Sequence, residues 1–143
     1  MHDLKGGCHC GNISVEYRTV IAPEDAKPRA CQCSFCRKHQ SCAISDPAGR
    51  LTFVVNNPDG INRYGFGVRS CDFLICRNCG VYVGAYMPDP DDTSGFGTLM
   101  ANALDEQARY GPGQPTDYDG EDGRGKRERR RLVWTPAEVK TVG

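Results

Sequence analysis

Three short cysteine groups constrain this chain more than anything else in it. They are Cys8-His9-Cys10-Gly11, Cys31-Gln32-Cys33-Ser34-Phe35-Cys36 and Cys76-Arg77-Asn78-Cys79-Gly80. A Cys-x-x-Cys-Gly segment makes a tight turn that aims two thiolates at one ion, and its glycine admits a backbone conformation that a Cβ disfavours. In an extended segment, Cys-x-Cys puts both thiols on one face, because side chains alternate with a period of two. Each pair supplies half of a tetrahedral sulfur set, which zinc favours. The spacing predicts two Zn²⁺ per chain, with seven thiols divided as four and three. Cys8, Cys10, Cys76 and Cys79 can close a four-cysteine site, the structural type. Cys31, Cys33 and Cys36 leave one coordination position open, the arrangement of catalytic zinc. His39 or Cys42 could instead complete that second site and make it structural too. Cys42 and Cys71 otherwise read as small buried residues, and His2, His9 and His39 as ordinary surface histidines or neighbours of the ligands.

Metal fits the rest of the chain. Leu, Ile, Val and Phe are few for 143 residues, so apolar burial alone makes a thin core. The nine cysteines are an odd number, and no apolar run follows Met1-His2-Asp3-Leu4-Lys5. Both features favour metal over disulfides. No stretch approaches the roughly 18 apolar residues of a membrane helix. The expectation is a soluble, cytoplasmic protein without a membrane partner. Lys+Arg and Asp+Glu balance at 18 each, and seven thiolates around two divalent ions would turn that neutrality mildly acidic. This argues against nucleic acid as the main partner.

The remaining pattern is mainly β. Ile13, Val15 and Tyr17 alternate with Ser14, Glu16 and Arg18, which predicts a strand over 12–21. Further strands are expected at 51–55, 62–68, 72–75 and 81–87, with 97–104 as the last main strand. Residues 1–12 read as a glycine-rich entry, 88–92 as a loop and 111–123 as a Gly-, Pro- and Asp-rich loop. Residues 124–132 are expected to form a short helix that Trp134-Thr135-Pro136 docks or ends. The chain is expected to be one zinc-binding domain over 1–143, with a charged C-terminal segment at about 111–143. Six of the eight residues 124–131 are basic, but Glu128 interrupts them and four acids precede them. The favoured reading is a salt-bridged segment packed against the domain. The alternative is a surface for nucleic acid or an acidic partner.

With their flanks, the three groups read Gly7-Cys8-His9-Cys10-Gly11, Cys31-Gln32-Cys33-Ser34-Phe35-Cys36-Arg37-Lys38 and Phe73-Leu74-Ile75-Cys76-Arg77-Asn78-Cys79-Gly80. In order and spacing they resemble the glutathione-dependent formaldehyde-activating enzyme family, which shares its domain with centromere protein V. The likeness covers roughly residues 5–104. It implies a β-tent fold of short antiparallel sheets held by a structural zinc at Cys8, Cys10, Cys76 and Cys79. It implies a catalytic zinc at Cys31, Cys33 and Cys36. It also implies a carbon–sulfur lyase activity on a small thiol and an aldehyde, glutathione and formaldehyde, giving S-(hydroxymethyl)glutathione. Arg37 and Lys38 could draw in a substrate carboxylate, or be a solvated pair. The aromatic-rich C-terminal segment that active members often carry is not identifiable, so the exact substrate stays open. The kinship with centromere protein V allows a second function, a non-catalytic zinc-stabilised interaction module acting through the arginine run.

Overall fold

Alternating burial turns this sequence into strands. The computed structural model describes residues 1–66, 70–90, 94–118 and 120–142. In order, the strands are β1 (His2–Gly7), β2 (Ile13–Thr19), β3 (Arg29–Cys31), β4 (Ala43–Ile44), β5 (Arg50–Val55) and β6 (Ile61–Tyr64). They continue with β7 (Asp72–Cys76), β8 (Tyr82–Pro88), β9 (Gly95–Met100), β10 (Gln114–Thr116) and β11 (Thr135–Thr141). Two helices, α1 (Ser34–His39) and α2 (Gly123–Val133), complete the described elements with a few single 3₁₀ turns. In β2, Ile13, Val15, Tyr17 and Thr19 are buried while Glu16 and Arg18 face water, the alternation of a half-buried strand. The protein is mainly β, as the sequence predicts.

The strands make one open, mixed sheet with the path β1-β2-β5-β11-β9-β4-β3-β10. Two pairs are parallel, β11 with β5 and β10 with β3. A branch of β8, β7 and β6 leaves from the other edge of β9, where Leu99 stands between Gly84 of β8 and Ile44 of β4. Ile13, Leu51, Phe53, Leu74, Leu99 and Leu104 are almost wholly enclosed in the main core. Each such side chain stabilises the fold by about 1.5–3 kcal/mol. Cys8 and Cys76 belong to the same core. Among the described residues no helix is long and apolar enough to cross a membrane.

Several expectations are corrected. Residues 97–104 are not the last main strand, because β9 ends at Met100 and two strands follow it. The segment read as a loop at 111–123 holds β10, and the glycine-rich entry holds β1. β11 lies between β5 and β9 with partners on both edges. It is buried through small residues, Thr135 and Ala137, so its own sequence carries little apolar signal. β6 stops at Tyr64, short of the expected 62–68. The end of that segment, and the residues 91–92 of the expected loop, lie outside the described residues. The helix expected at 124–132 is α2, and buried Trp134 both caps and docks it.

Asp46 ties three of these elements together. Its buried carboxylate accepts hydrogen bonds from Thr19 Oγ1 at 2.7 Å and from the Val20 and Ala48 amides at 2.9 Å. Its own amide donates to Thr135 Oγ1 of β11 at 2.8 Å. Burial pushes the Asp46 pKa up, but the bonds from Thr19, Val20 and Ala48 outweigh it and hold the carboxyl below its ordinary value. Asp46→Ala is expected to cost about 2–3 kcal/mol in urea unfolding at pH 7, because buried donors lose their acceptor. A depressed folded pKa gives stability that is complete above the unfolded value of about 3.9 and is lost as pH falls through the folded one. The gap between parent and variant should therefore narrow below about pH 4. A gap that widens there would overturn this account of Asp46.

Candidate metal centres and the cavity beside them

The four-cysteine group is assembled by two turns. Cys8 and Cys10 follow β1, while Cys76 ends β7 and Cys79 lies in the turn after it. Each turn closes on a glycine in the left-handed region, Gly11 at φ 89° and Gly80 at φ 80°. That is the conformation a Cβ disfavours. The Gly80 amide donates to the Cys76 carbonyl at 2.9 Å, which fixes the second turn. The four sulfurs all lie within 4.8 Å of one another. Cys10 Sγ stands 3.5 Å from Cys76 Sγ and 3.8 Å from Cys8 Sγ. Two sulfurs bonded to one tetrahedral zinc are roughly 3.8 Å apart, given a Zn–S bond of about 2.3 Å. Backbone amides also point at the thiols. Ile13 N donates to Cys8 Sγ at 3.2 Å, and Cys79 N to Cys76 Sγ at 3.4 Å. Such bonds favour the thiolate form that a metal needs. The donor set fits zinc.

The second group sits where β3 runs into α1. Cys31 ends the strand, Cys33 caps the helix, and Cys36 is buried in its first turn. The Cys36 amide donates to Cys33 Sγ at 3.4 Å. The three sulfurs again lie within 4.8 Å of one another. Neither His39 nor Cys42 joins them. The His39 ring packs 4.6 Å from Phe35 and 5.3 Å from Tyr82, and Cys42 packs against the main core. Cys71 is buried beside Ala85, Met87 and Trp134. The set of three thiols fits zinc with one position left to a further ligand.

The thiols within each group differ in acidity. A hydrogen bond from Cys36 draws Cys31 down to about 5, while its counterpart pushes Cys36 well up, aided by burial. In the other group, burial pushes Cys8 up to about 11. Burial also works against Cys79, but bonds from the Val81 and Cys10 backbone and the Cys76 and Cys8 thiols outweigh it and bring Cys79 to about 6. One readily ionised thiol beside one that holds its proton makes each group a partly charged donor set.

A cavity of about 110 Å³ opens beside the three-cysteine group. Cys31, Cys33 and Cys36 line one part of it, and Phe66, Phe73, Tyr82, Met100 and Trp134 an apolar part. Burial raises the Tyr82 pKa well above normal, with further contributions from Cys36, Cys71, Cys33 and Cys31, so this residue remains a neutral phenol. Aromatic rings continue outward through Phe35 to Tyr64, 5.5 Å apart and stacked. Most of these rings come from residues 35–82, but Trp134 comes from the C-terminal segment.

The polar part of the cavity is not visible in the sequence. It includes Arg29, Thr116, Tyr118, Lys126, Arg129 and Arg130. β10 is hydrogen-bonded parallel to β3, with Thr116 opposite Cys31, and this brings the C-terminal third to the site. Asp122 caps α2 by accepting from the Gly125 amide at 2.7 Å. Lys126, Arg129, Arg130 and Val133 then share the inward face, at spacings of three and four. Arg124, Arg127, Glu128 and Arg131 face water. Arg124 pairs with Glu128 at 3.0 Å and Arg131 with Asp89 at 3.4 Å. The arginine run thus packs against the fold with its outer face salt-bridged, and half of its cations turn inward. The three-and-four spacing is the available signal, but a helix so short of apolar residues does not announce which face is inside. Arg37 and Lys38 are exposed and line no part of the cavity.

Comparisons with known proteins fit this geometry. The family model described as glutathione-dependent formaldehyde-activating enzyme matches residues 3–118. A crystal structure of a Rhodobacter sphaeroides protein is similar to this chain at 23% sequence identity and a TM-score of 0.50. The similarity covers 97% of this chain and 100% of that one, and it speaks for the fold alone.

Proposed function

The chain belongs to the glutathione-dependent formaldehyde-activating enzyme family, and from that premise we propose that it is a zinc-dependent carbon–sulfur lyase joining a small thiol to an aldehyde. The observation that carries this reading is the three-cysteine group opening onto a cavity with an aromatic wall. In this reading, Cys8, Cys10, Cys76 and Cys79 hold a structural zinc, and Cys31, Cys33 and Cys36 hold a catalytic one. Residues 1–143 are read as a single zinc-binding domain of the β-tent kind. The insertion of β11 into the middle of the sheet supports including the charged segment in that domain.

The reaction is an addition without redox change. The thiol sulfur forms a bond to the aldehyde carbon, the C=O π pair moves to oxygen, and that oxygen receives the proton the thiol gives up. Zinc bound by Cys31, Cys33 and Cys36 would supply positive charge that favours the thiolate form of a neighbouring thiol. The protein side chains do the remainder. Phe66, Phe73, Met100 and Trp134 exclude bulk water from the reacting atoms. The Tyr82 hydroxyl, held neutral, is a hydrogen-bond donor for the aldehyde oxygen as charge builds there. Holding both reactants in one cavity replaces a bimolecular encounter with a local one.

Purified protein is expected to contain two zinc ions per chain. Mixed with formaldehyde and glutathione, it should speed formation of S-(hydroxymethyl)glutathione, followed by exchange NMR, at least about tenfold over the uncatalysed reaction. Two zincs with no acceleration by any small thiol would remove the lyase reading. The interaction-module reading has less support, because α2 turns half of its cations inward and pairs two of the others.

A further inference from the structure

We propose that Arg29 and Arg130 form a buried anion subsite that recognises a carboxylate carried by the substrate of the three-cysteine centre. This inference rests on the thiol–aldehyde reading above and names the class of thiol, one with a carboxylate in the same small molecule.

Two guanidinium groups from distant parts of the chain line one cavity. Arg29 comes from β3, two residues before Cys31, and Arg130 comes from the inner face of α2. Arg130 is only 8% exposed. Its Nη1 donates to Ser70 Oγ and its guanidinium lies 4.8 Å over the Trp134 ring, but its Nε has no partner. Arg29 donates through Nη2 to Ser45 Oγ at 2.9 Å and Thr98 Oγ1 at 3.1 Å. Those are neutral oxygens. Among the described residues, neither arginine has a carboxylate partner. Thr116 Oγ1, on the same cavity, is also buried without a partner.

A buried cation without a counter-ion is costly and calls for an explanation. Arg129 shows that this fold pairs a cation where nothing else is needed. It holds Glu121 at 2.9 Å and lies 3.6 Å over the Tyr118 ring. The acidic groups that act on Arg130 are the Cys71 thiol, which burial holds in its protonated form, and the Glu121 carboxylate, which Arg129 already pairs. Cys31 acts on Arg29, and a divalent ion held by the three-cysteine group would cancel most of its charge. Positive charge then stays in excess on the cavity, raised further by Lys126. A guanidinium fork matches a carboxylate in two parallel hydrogen bonds. An anionic end held by Arg29 and Arg130, with the thiol at the cysteine centre, would span this cavity. Arg130 is buried and Arg29 half-buried, which makes the contact selective, since an uncharged analogue leaves the cations unmatched.

The test compares three probes on zinc-loaded protein by calorimetry and by the ¹⁵N signals of the arginine Nε groups. They are 3-mercaptopropionate, 3-mercapto-1-propanol and propionate. The acid thiol is expected to bind at least about tenfold more tightly than the alcohol thiol, the discrimination of one charge-assisted pair. Arg130→Gln and Arg29→Gln should each erase most of that preference while leaving the alcohol thiol's affinity unchanged. If either variant fails to fold, the preference of the parent and the shift of its Arg130 Nε signal decide the matter. Equal affinity for the two thiols would overturn the anion subsite and leave the thiol reading standing. If neither thiol binds, the thiol reading falls. The subsite then stands only if propionate shifts the Arg130 signal, and it falls if propionate does not. Displacement of the acid thiol by inorganic phosphate as readily as by propionate would overturn the carboxylate preference.

Discussion

A Cys79→Ser chain is expected to carry one zinc instead of two and to lose about 5 kcal/mol or more of stability, enough to leave it largely unfolded at 37 °C. The size of the effect follows from position. Cys8 and Cys10 lie beyond β1, at the far end of the sheet path from β10. Cys76 and Cys79 lie on the branch that leaves β9. Cys10 and Cys76, 66 positions apart, come within 3.5 Å. Among the described residues no strand pairing joins β1 or β2 directly to β7, so the four-sulfur centre clamps parts of the sheet that no strand ladder joins. Cys8 and Cys76 are also in the main core. Losing one ligand therefore loosens the core as well as the centre. Metal analysis and a circular-dichroism melt check this. A variant with two zincs and an unchanged melting temperature would end the claim that this centre is structural.

The Cys33→Ser variant should behave in the opposite way. Its fold and melting temperature are expected to stay within a few degrees of the parent, while lyase activity falls by more than about 100-fold, beyond the cost of losing an outer partner of a metal ligand. The reason is local. Cys33 is the N-cap of α1, and its sulfur accepts the Cys36 amide. Serine is among the best N-cap residues, so its hydroxyl can take over that bond. The substitution removes a soft ligand and little else. Cys31, Cys33 and Cys36 lie within one strand-to-helix junction, so their centre closes no long loop and contributes less to folding. Equal losses of stability in Cys33→Ser and Cys79→Ser would defeat the proposed division between the two centres.

The two cysteine groups are legible in the sequence because metal ligation demands particular residue types at particular spacings, and Gly11 and Gly80 carry the backbone signature of the turns. β2 is legible from its alternation. β11 is not, because Thr135 and Ala137 are buried by neighbours on both edges rather than by their own apolarity. The cationic side of the cavity is hidden for a related reason. Nothing in the sequence sets Arg130 apart from the rest of the charged run, and the pairing of β10 with β3 brings that part of the chain to Cys31. The charged run reads as packed and salt-bridged, and it is, but its inner face can be found only from tertiary structure. Arg37 and Lys38, adjacent to Cys36 in sequence, point to the opposite lesson. Nearness along the chain does not place them at the cavity.

The place of β11 also bears on how the protein is made. β1, β2 and β5 form a three-stranded unit whose neighbour in the sheet path toward β9 is β11. While a ribosome is still extending the chain, and until residues 135–141 have emerged, β5 and β9 each present a bare edge. Nascent chains in that interval are open to pairing with one another. β11, made after both β5 and β9, is therefore the strand that covers these edges and shields sibling chains from aggregation.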